Sequence, residues 1–384
     1  MLGVAVQPKN GESEMDSKPR KMRKIAQIVE SFAYGTAKSS VQLCRMLDDS
    51  SITFYYGVRE GTDREITDAD SSINWVPLPG KGATRHLTNL RFLIKHLDPQ
   101  TEIIHGQSTY GGAYAKFVGL FHRKPQVFYS PRGFSFLREN LPRPLRWSFW
   151  LFEKITAPLC LTIACGPSEY RIARSLSTRV RQINNAGVVP DDVDVARIGS
   201  GILTVGRVGP QKGFDLFLDI ARKTPESQFT WIGEPDPGFE HWTDELPANV
   251  ELIPGLPHHE VLERLRDCRF VLLPSRWEGL SRFLIETLCH GKAFVTSTCA
   301  ANVDCLRRSE EGDRFENGYS CKTLDEYAAA IQKLEANDEE LLNMQSASLD
   351  YAMTEFSLDV VRENWRELYG LKTSNQFPAL QEQS

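Results

Sequence analysis

Short apolar runs alternate with longer stretches in which apolar residues recur every three or four positions, and this alternation fills most of the chain. Runs of strand length lie at 24–30 (KIAQIVE), Ile52 to Tyr56, Trp75 to Leu78, Glu102 to Ile104 (ending at His105), Gln126 to Tyr129, Leu161 to Cys165 and Val180 to Asn184. A second series starts at Gly201, with runs at Ile202 to Val205, Phe229 to Ile232, Val250 to Ile253, Phe270 to Leu273 and Ala293 to Thr296. Helical spacing fills the intervals: Val41, Leu43, Met46 and Leu47; Leu87 to Leu97; a helix from about Gly213; His259 to Asp267; Leu324 to Leu334; Asp338 to Met353. Ser357 reads as the N-cap of a last helix through Val360, Val361, Asn364, Trp365 and Leu368. Strand and helix in alternation predict parallel sheets, an α/β chain.

The restart at Gly201 predicts two domains, 23–195 and 200–354, joined by an Asp- and Pro-containing linker at 190–199. The last helix, in 355–371, is expected to pack back towards the first domain. Polar ends at 1–22 and 372–384 read as disordered tails. A length of 384 residues suits two domains, and 41% hydrophobic with 25% charged residues is ordinary globular composition. With 50 acidic and 45 basic residues, bulk charge gives no reason to expect nucleic acid. No apolar run reaches the roughly 18 residues of a membrane helix. Eight scattered cysteines without a CxxC pair read as reduced, buried thiols of a cytoplasmic protein, not as disulfides or a zinc site.

Candidate chemistry sits where strands of parallel sheets end, since ligands bind outside the carboxyl ends of such strands. In PSRWEGLSRFLIE, Glu278 lies in a loop and Glu286 eight residues on. Eight residues of helix span about 12 Å, so the two carboxylates cannot grip one atom but can grip two parts of an extended ligand. The helix N-terminus near Ser281 and Arg282 would hold an anion between them. In VGRVGPQKGFD, Arg207 and Lys212 place two cations at a turn before a helix, which suits a diphosphate; a solvated surface pair is the alternative. Gly233 and Leu256 follow two further strands at the same edge, as ligand contacts or as ordinary turn residues. In the first half, Gly35 and Thr36 lie in the turn SFAYGT, either a phosphate or sugar contact or a plain connection. His105 and Arg132 lie at strand mouths; His105 has a packing role as its alternative, while a guanidinium beside Pro131 and Gly133 suits an anion or a polar sugar. Residues 138–155 (RENLPRPLRWSFWLFEKI) mix cations with aromatics. A core helix with solvated basic ends is the commoner reading of such a stretch, and a helix docked on phospholipid the other.

These motifs, in this order, resemble family 4 retaining glycosyltransferases of the GT-B fold, of the bacterial surface-polysaccharide type. The resemblance is strongest over about 200–335, including the ANVDC and ENGYSC segments, and extends more weakly through IIHGQSTYGGAYAK, FYSPRGFSF and ACGPSE. It implies two Rossmann-like domains facing each other across a cleft, the first for the acceptor and the second for a nucleoside diphosphate sugar. Arg207 and Lys212 would bind the donor diphosphate, Glu278 the hydroxyls of the transferred sugar and Glu286 the ribose. Backbone amides from Gly279, Leu280, Ser281 and Arg282 to Phe283, with Gly206, Gly233 and Leu256, would complete the donor site; Gly35, Thr36, His105 and Arg132 would face acceptor or sugar. The chain departs from the family at Arg132, where a histidine is usual, at Ala300–Ala301–Asn302, where Gly-Gly is usual, and in a glycine-poor SFAYGT.

The implied reaction is transfer of a sugar to a hydroxyl of a glycan or lipid-linked glycan, as in lipopolysaccharide assembly, with retention of configuration. Asp-x-Asp occurs only at Asp68–Asp70, in the polar loop, and at Asp192–Asp194, in the linker, and not at the mouth of a strand, so neither metal nor cofactor is expected. Peripheral contact with the inner face of the cytoplasmic membrane fits the aromatic and basic stretch. A catalytically silent nucleotide-sugar-binding partner of the same fold, or a sugar-nucleotide epimerase, remain as alternatives. An NAD-dependent enzyme is disfavoured because no G-x-G-x-x-G follows the first strand.

Overall fold

The computed structural model describes residues 22–32, 34–58, 71–138, 140–312 and 314–371. The two expected tails, 1–22 and 372–384, fall outside these residues but for Met22.

Seven strands make the first sheet: β1 (Lys24–Val29), β2 (Ser51–Gly57), β3 (Asn74–Leu78), β4 (Ile103–Gln107), β5 (Gln126–Ser130), β6 (Leu161–Ala164) and β7 (Val180–Gln182). Six make the second: β8 (Ile202–Val205), β9 (Phe229–Ile232), β10 (Val250–Ile253), β11 (Phe270–Leu273), β12 (Phe294–Ser297) and β13 (Gly318–Cys321). Their orders are β3-β2-β1-β4-β5-β6-β7 and β10-β9-β8-β11-β12-β13, with the named strand pairs parallel throughout. Each is the doubly wound arrangement, whose strand order reverses between β1 and β4 in one sheet and between β8 and β11 in the other. Both faces of such sheets are covered by helices, which is why β11 reads FVLL and is buried at every position.

The last helix, Leu358–Leu368, belongs to the first lobe although its sequence follows the second. Val361, Trp365 and Tyr369 lie in one apolar cluster with Val29, Val41, Phe54 and Phe128. The chain therefore crosses between lobes twice, and the crossings touch. The Gly187 amide donates to the Phe356 carbonyl at 2.8 Å, just after a π-helical turn at Ala352–Phe356. A side chain at Gly187 would meet the Cys289 sulfur at 2.4 Å, so this crossing is squeezed against the helix Arg282–Cys289.

Several sequence expectations move. The fourth strand does not end at His105 but runs on to Gln107, because His105 and Gln107 satisfy their side chains inside the core. The first helix begins at Tyr34, so Gly35 and Thr36 are first-turn residues and not part of a loop. β13 was invisible in the pattern: GYSC is short, half polar and opens on glycine. Ser357 holds the N-cap position of the last helix, but its hydroxyl donates backwards to the Met353 carbonyl at 3.0 Å and caps nothing.

The core-helix reading of 138–155 is overturned. In the helix Arg143–Thr156 the buried residues are Glu153 and Thr156, while Leu145, Trp147, Trp150 and Ile155 are exposed. The reason is an ion pair: Lys116, on the helix Ser108–His122, donates to Glu153 at 2.7 Å and to the Thr156 hydroxyl at 3.1 Å. The Tyr129 hydroxyl donates to the other Glu153 oxygen at 2.7 Å, and burial followed by that carboxylate pushes the phenol pKa far up. Charge satisfied inside turns the aromatic face outwards. Removing one partner of so deeply buried a pair costs about 3–5 kcal/mol. Lys116→Ala should therefore lower stability by about that amount in a urea titration followed by tryptophan fluorescence. A loss below about 1 kcal/mol would show that Glu153 finds another partner.

Candidate active site between the lobes

The carboxyl ends of the two sheets face each other. A Cβ placed on Gly279 would stand 3.0 Å from the Arg132 carbonyl, and one on Gly133 would stand 3.5 Å from the Gly279 Cα. The loops after β5 and β11 thus meet backbone to backbone; a side chain on Gly279 would crowd that approach, and Gly133, at φ 96°, takes a left-handed turn that favours glycine.

On the second lobe, the loop after β8 wraps against the loop after β11, across the point where strand order reverses. Lys212 folds over Gly206 and donates to Glu278 Oε1 at 2.7 Å. These side chains are 17% and 9% exposed, so the pair is largely out of water. Arg207 takes a different partner, Asp236, and also reaches Gln211 Oε1 at 3.2 Å. Gln211 in turn donates to the Trp277 carbonyl at 3.3 Å, and Arg276 grips Asp215 through two bonds of 2.8 and 2.6 Å. Burial works against the charge on Asp215, but the Arg276 fork outweighs it and holds the carboxyl below its usual range. Gly213, at φ 73°, presses on the Pro274 carbonyl, which fixes the distance between the two loops. Gly233, at the end of β9, packs on the Gly206 carbonyl, and Leu256 lies partly buried against the neighbouring apolar cluster.

The helix Arg282–Cys289 starts at this edge with Ser281 as its N-cap, the hydroxyl accepting from the Leu284 amide at 3.4 Å. Leu280 and Phe283 turn their side chains into the core, so only their backbones face the loops. Arg282 crosses to the first lobe and donates to Ser39 and Gln42, each at 3.1 Å, beside Gly35. Its other nitrogen lies 3.6 Å from Glu286, which His258 approaches at the same distance. Burial, opposed by Glu286, lowers the His258 pKa.

On the first lobe, His105 is wholly buried, inside the strand and away from its mouth. Its Nδ1 lies 2.6 Å from the Tyr369 hydroxyl and its Nε2 2.9 Å from Ser130 Oγ. Burial and the Arg132 charge drive its pKa well below the ordinary range, so the ring stays neutral. Gln27 and Gln107 join the same network. It ends at Arg132, whose Nε donates to Gln107 at 3.0 Å and whose second nitrogen donates to Asn185. The Asn185 amide passes the chain on to the Leu280 carbonyl of the other lobe at 3.3 Å. A further crossing is made by Asp304, which accepts from the Ser168 amide at 2.7 Å at the start of the helix Pro167–Leu176. Burial raises the Asp304 pKa against the pull of that bond.

The structure thus gathers Arg207, Lys212, Glu278, Gly279, Ser281, Arg282 and Glu286 at one edge, with Arg132 and Gly35 opposite. It adds Asn185, Asp236, Gln107 and Asp304, which sequence reasoning missed. Of these only Gln107 had a visible signal, a polar residue in a strand otherwise fit for burial. All eight cysteines are free, and all but Cys299 are buried. Burial pushes the Cys268, Cys289 and Cys321 thiols up to about 12.

Residues 200–349 match the family model described as glycosyl transferases group 1. A Klebsiella pneumoniae protein described as an uncharacterized 41.2 kDa protein in the cps region is 21% identical over 218 residues. That match spans 52% of this chain and 61% of the relative, so the chain covers about three fifths of the relative's length. Among solved structures, Anabaena HepE in complex with UDP and glucose superposes with a TM-score of 0.75 at 12% identity, over 91% of this chain and 99% of HepE. Sucrose-phosphate synthase from Thermosynechococcus elongatus gives 0.74 at 15% identity, over 91% and 98%. Identities this low establish the fold alone: the chain has the GT-B fold, and its second lobe, over residues 200–349, matches the glycosyl transferases group 1 model.

Proposed function

We propose that the chain is a retaining, metal-independent glycosyltransferase that moves a sugar from a nucleoside diphosphate sugar to a hydroxyl of a glycan or lipid-linked glycan. The observation that carries this reading is the shielded Lys212–Glu278 pair beside a capped helix N-terminus. An ammonium and a helix N-terminus aimed at one place complement a diphosphate, whose charge grows as the glycosidic bond breaks. Arrival of the diphosphate would draw Lys212 off Glu278 and leave that carboxylate to accept hydroxyls of the sugar. Arg207, held by Asp236 and Gln211, would add a second cation at the leaving group. These cations supply the charge stabilisation that a metal supplies in other transferases. Glu286 would accept from the ribose. In front-face attack the leaving phosphate takes the acceptor proton, so the site requires no separate base. HepE was crystallised with UDP and glucose, which supports a nucleotide sugar as the donor here.

The outward face of Arg143–Thr156 supports contact with a membrane carrying the acceptor. Trp147 and Ile155 are exposed, and Phe121 and Leu120 add to them from the adjacent helix, where the Phe117 and Phe152 rings lie 6.4 Å apart. Arg123, Lys124 and Arg143 are exposed nearby. Aromatics with cations at one surface suit an anionic bilayer interface. No helix among the described residues is long and apolar enough to cross a membrane.

Lys212→Ala and Glu278→Ala should each lower donor turnover by about two to three orders of magnitude, measured as diphosphate release with acceptor extract. Near-normal turnover in either variant would refute the assigned roles. Turnover should persist in EDTA, and loss restored by a divalent cation would show a metal at work. Flotation with vesicles containing phosphatidylglycerol should carry the chain upward. Trp147→Ala with Phe121→Ala should weaken that flotation, and equal flotation would take the membrane contact away from this face.

A further inference from the structure

One cation of the cleft has no acid to answer it. Among the described residues Arg132 forms no ion pair: its assigned partners, Gln107 and Asn185, are neutral amides. Glu169, the carboxylate whose charge acts on it, has both oxygens committed to backbone amides, one to Gly133 at 2.6 Å and one to Cys165 at 2.8 Å. Burial lowers the Arg132 pKa against the pull of Cys165 and Glu169, and a second cation, Arg282, opposes its charge as well. The backbone is unusual here too. Arg132 sits at φ 56° and Gly133 at φ 96°, a left-handed turn that a long side chain rarely adopts. A shielded guanidinium without a counter-charge is costly, and a neutral ligand would answer its hydrogen bonds but not its charge.

The remedy is an anion brought by the ligand, and two sources offer one: the diphosphate or an acid on the sugar. Position separates them. Lys212, Arg207 and the Ser281 N-cap gather round the loops after β8 and β11, all on the second lobe. Arg132 lies on the opposite lobe: its backbone carbonyl abuts Gly279, the residue after the carboxylate assigned to sugar hydroxyls, and its guanidinium reaches Asn185, which donates to the Leu280 carbonyl beside Gly279. We propose that the transferred sugar carries a carboxylate, so that the donor is a nucleoside diphosphate hexuronate, with Arg132 as the residue that reads the acid. This rests on the donor-site reading above and adds the class of sugar to it.

Isothermal titration of the full chain would compare UDP-glucuronate with UDP-glucose, GDP-mannuronate with GDP-mannose, and the bare diphosphates. On the nucleotide that binds, the hexuronate should be tighter than the hexose by about ten- to a hundredfold, as for a charge-assisted hydrogen bond. Arg132→Gln should erase that difference while the bare diphosphate keeps its affinity. Arg132→Lys, which retains the charge without the planar fork, should keep part of it. Equal binding of hexose and hexuronate by the wild-type chain would overturn the proposal even if Arg132→Gln failed to fold. Equal weakening of bare diphosphate and hexuronate in Arg132→Gln would overturn it by giving the guanidinium to the phosphates. If neither diphosphate binds, the donor-site reading falls and this one with it; diphosphate binding without a hexuronate preference removes only this one.

Discussion

An ammonium and a carboxylate 2.7 Å apart, drawn from loops after two neighbouring parallel strands, organise the second lobe's ligand edge. In a parallel sheet these loops converge where the strand order reverses, and only there does a crevice open between helices on opposite faces. Lys212 and Glu278 can meet because Gly206 leaves room for the lysine stem and Gly213 allows the loop to lie on Pro274. The pair holds each charge ready in a poorly hydrated place. On the function proposed above, its two members answer to different parts of one ligand.

Polar contacts hold the first lobe to this edge, beside the apolar contact of Cys165 with the cluster of Leu280 and Phe283. Arg282 reaches Ser39 and Gln42, Asp304 accepts from Ser168, and Asn185 reaches the Leu280 carbonyl. All three involve loops or helix ends that face the cleft. Behind them the last helix returns to the first lobe and places Tyr369 in the network of His105, Gln27 and Gln107. The last helix is thereby linked to Arg132 through side chains alone. Inter-lobe contacts of this kind are easily exchanged, and relative motion of the lobes is the expectation for them.

Most of the architecture was legible in the sequence because parallel strands buried on both faces leave unbroken apolar runs. Ile202–Val205 and Phe270–Leu273 were placed without error for that reason, and Phe229–Ile232 and the edge strand Val250–Ile253 were placed by apolar residues interrupted at one position only. β13 failed the same test, since an edge strand of glycine, tyrosine, serine and cysteine carries no such run. The helix Arg143–Thr156 misled because periodicity reports which residues share a face, not which face is inside. Only the long-range pair Lys116–Glu153 decides that, and no local pattern announces it. At the site, residue types and spacing marked Lys212, Glu278 and Glu286. They could not show that Arg207 would turn to Asp236, that His105 would be sealed in the core, or that Asn185, just past the strand read at Val180 to Asn184, would join two lobes.

The central claim is that a pyrophosphate lies between the lobes against the β8 and β11 loops. A crystal structure of the chain with a bound nucleoside diphosphate tests it most directly. The expected result is a phosphate oxygen within hydrogen-bond distance of Lys212 Nζ, with Glu278 released from the lysine and the Ser281–Phe283 amides turned to the same group. Phosphates bound outside the cleft, with Lys212 still on Glu278, would contradict the account.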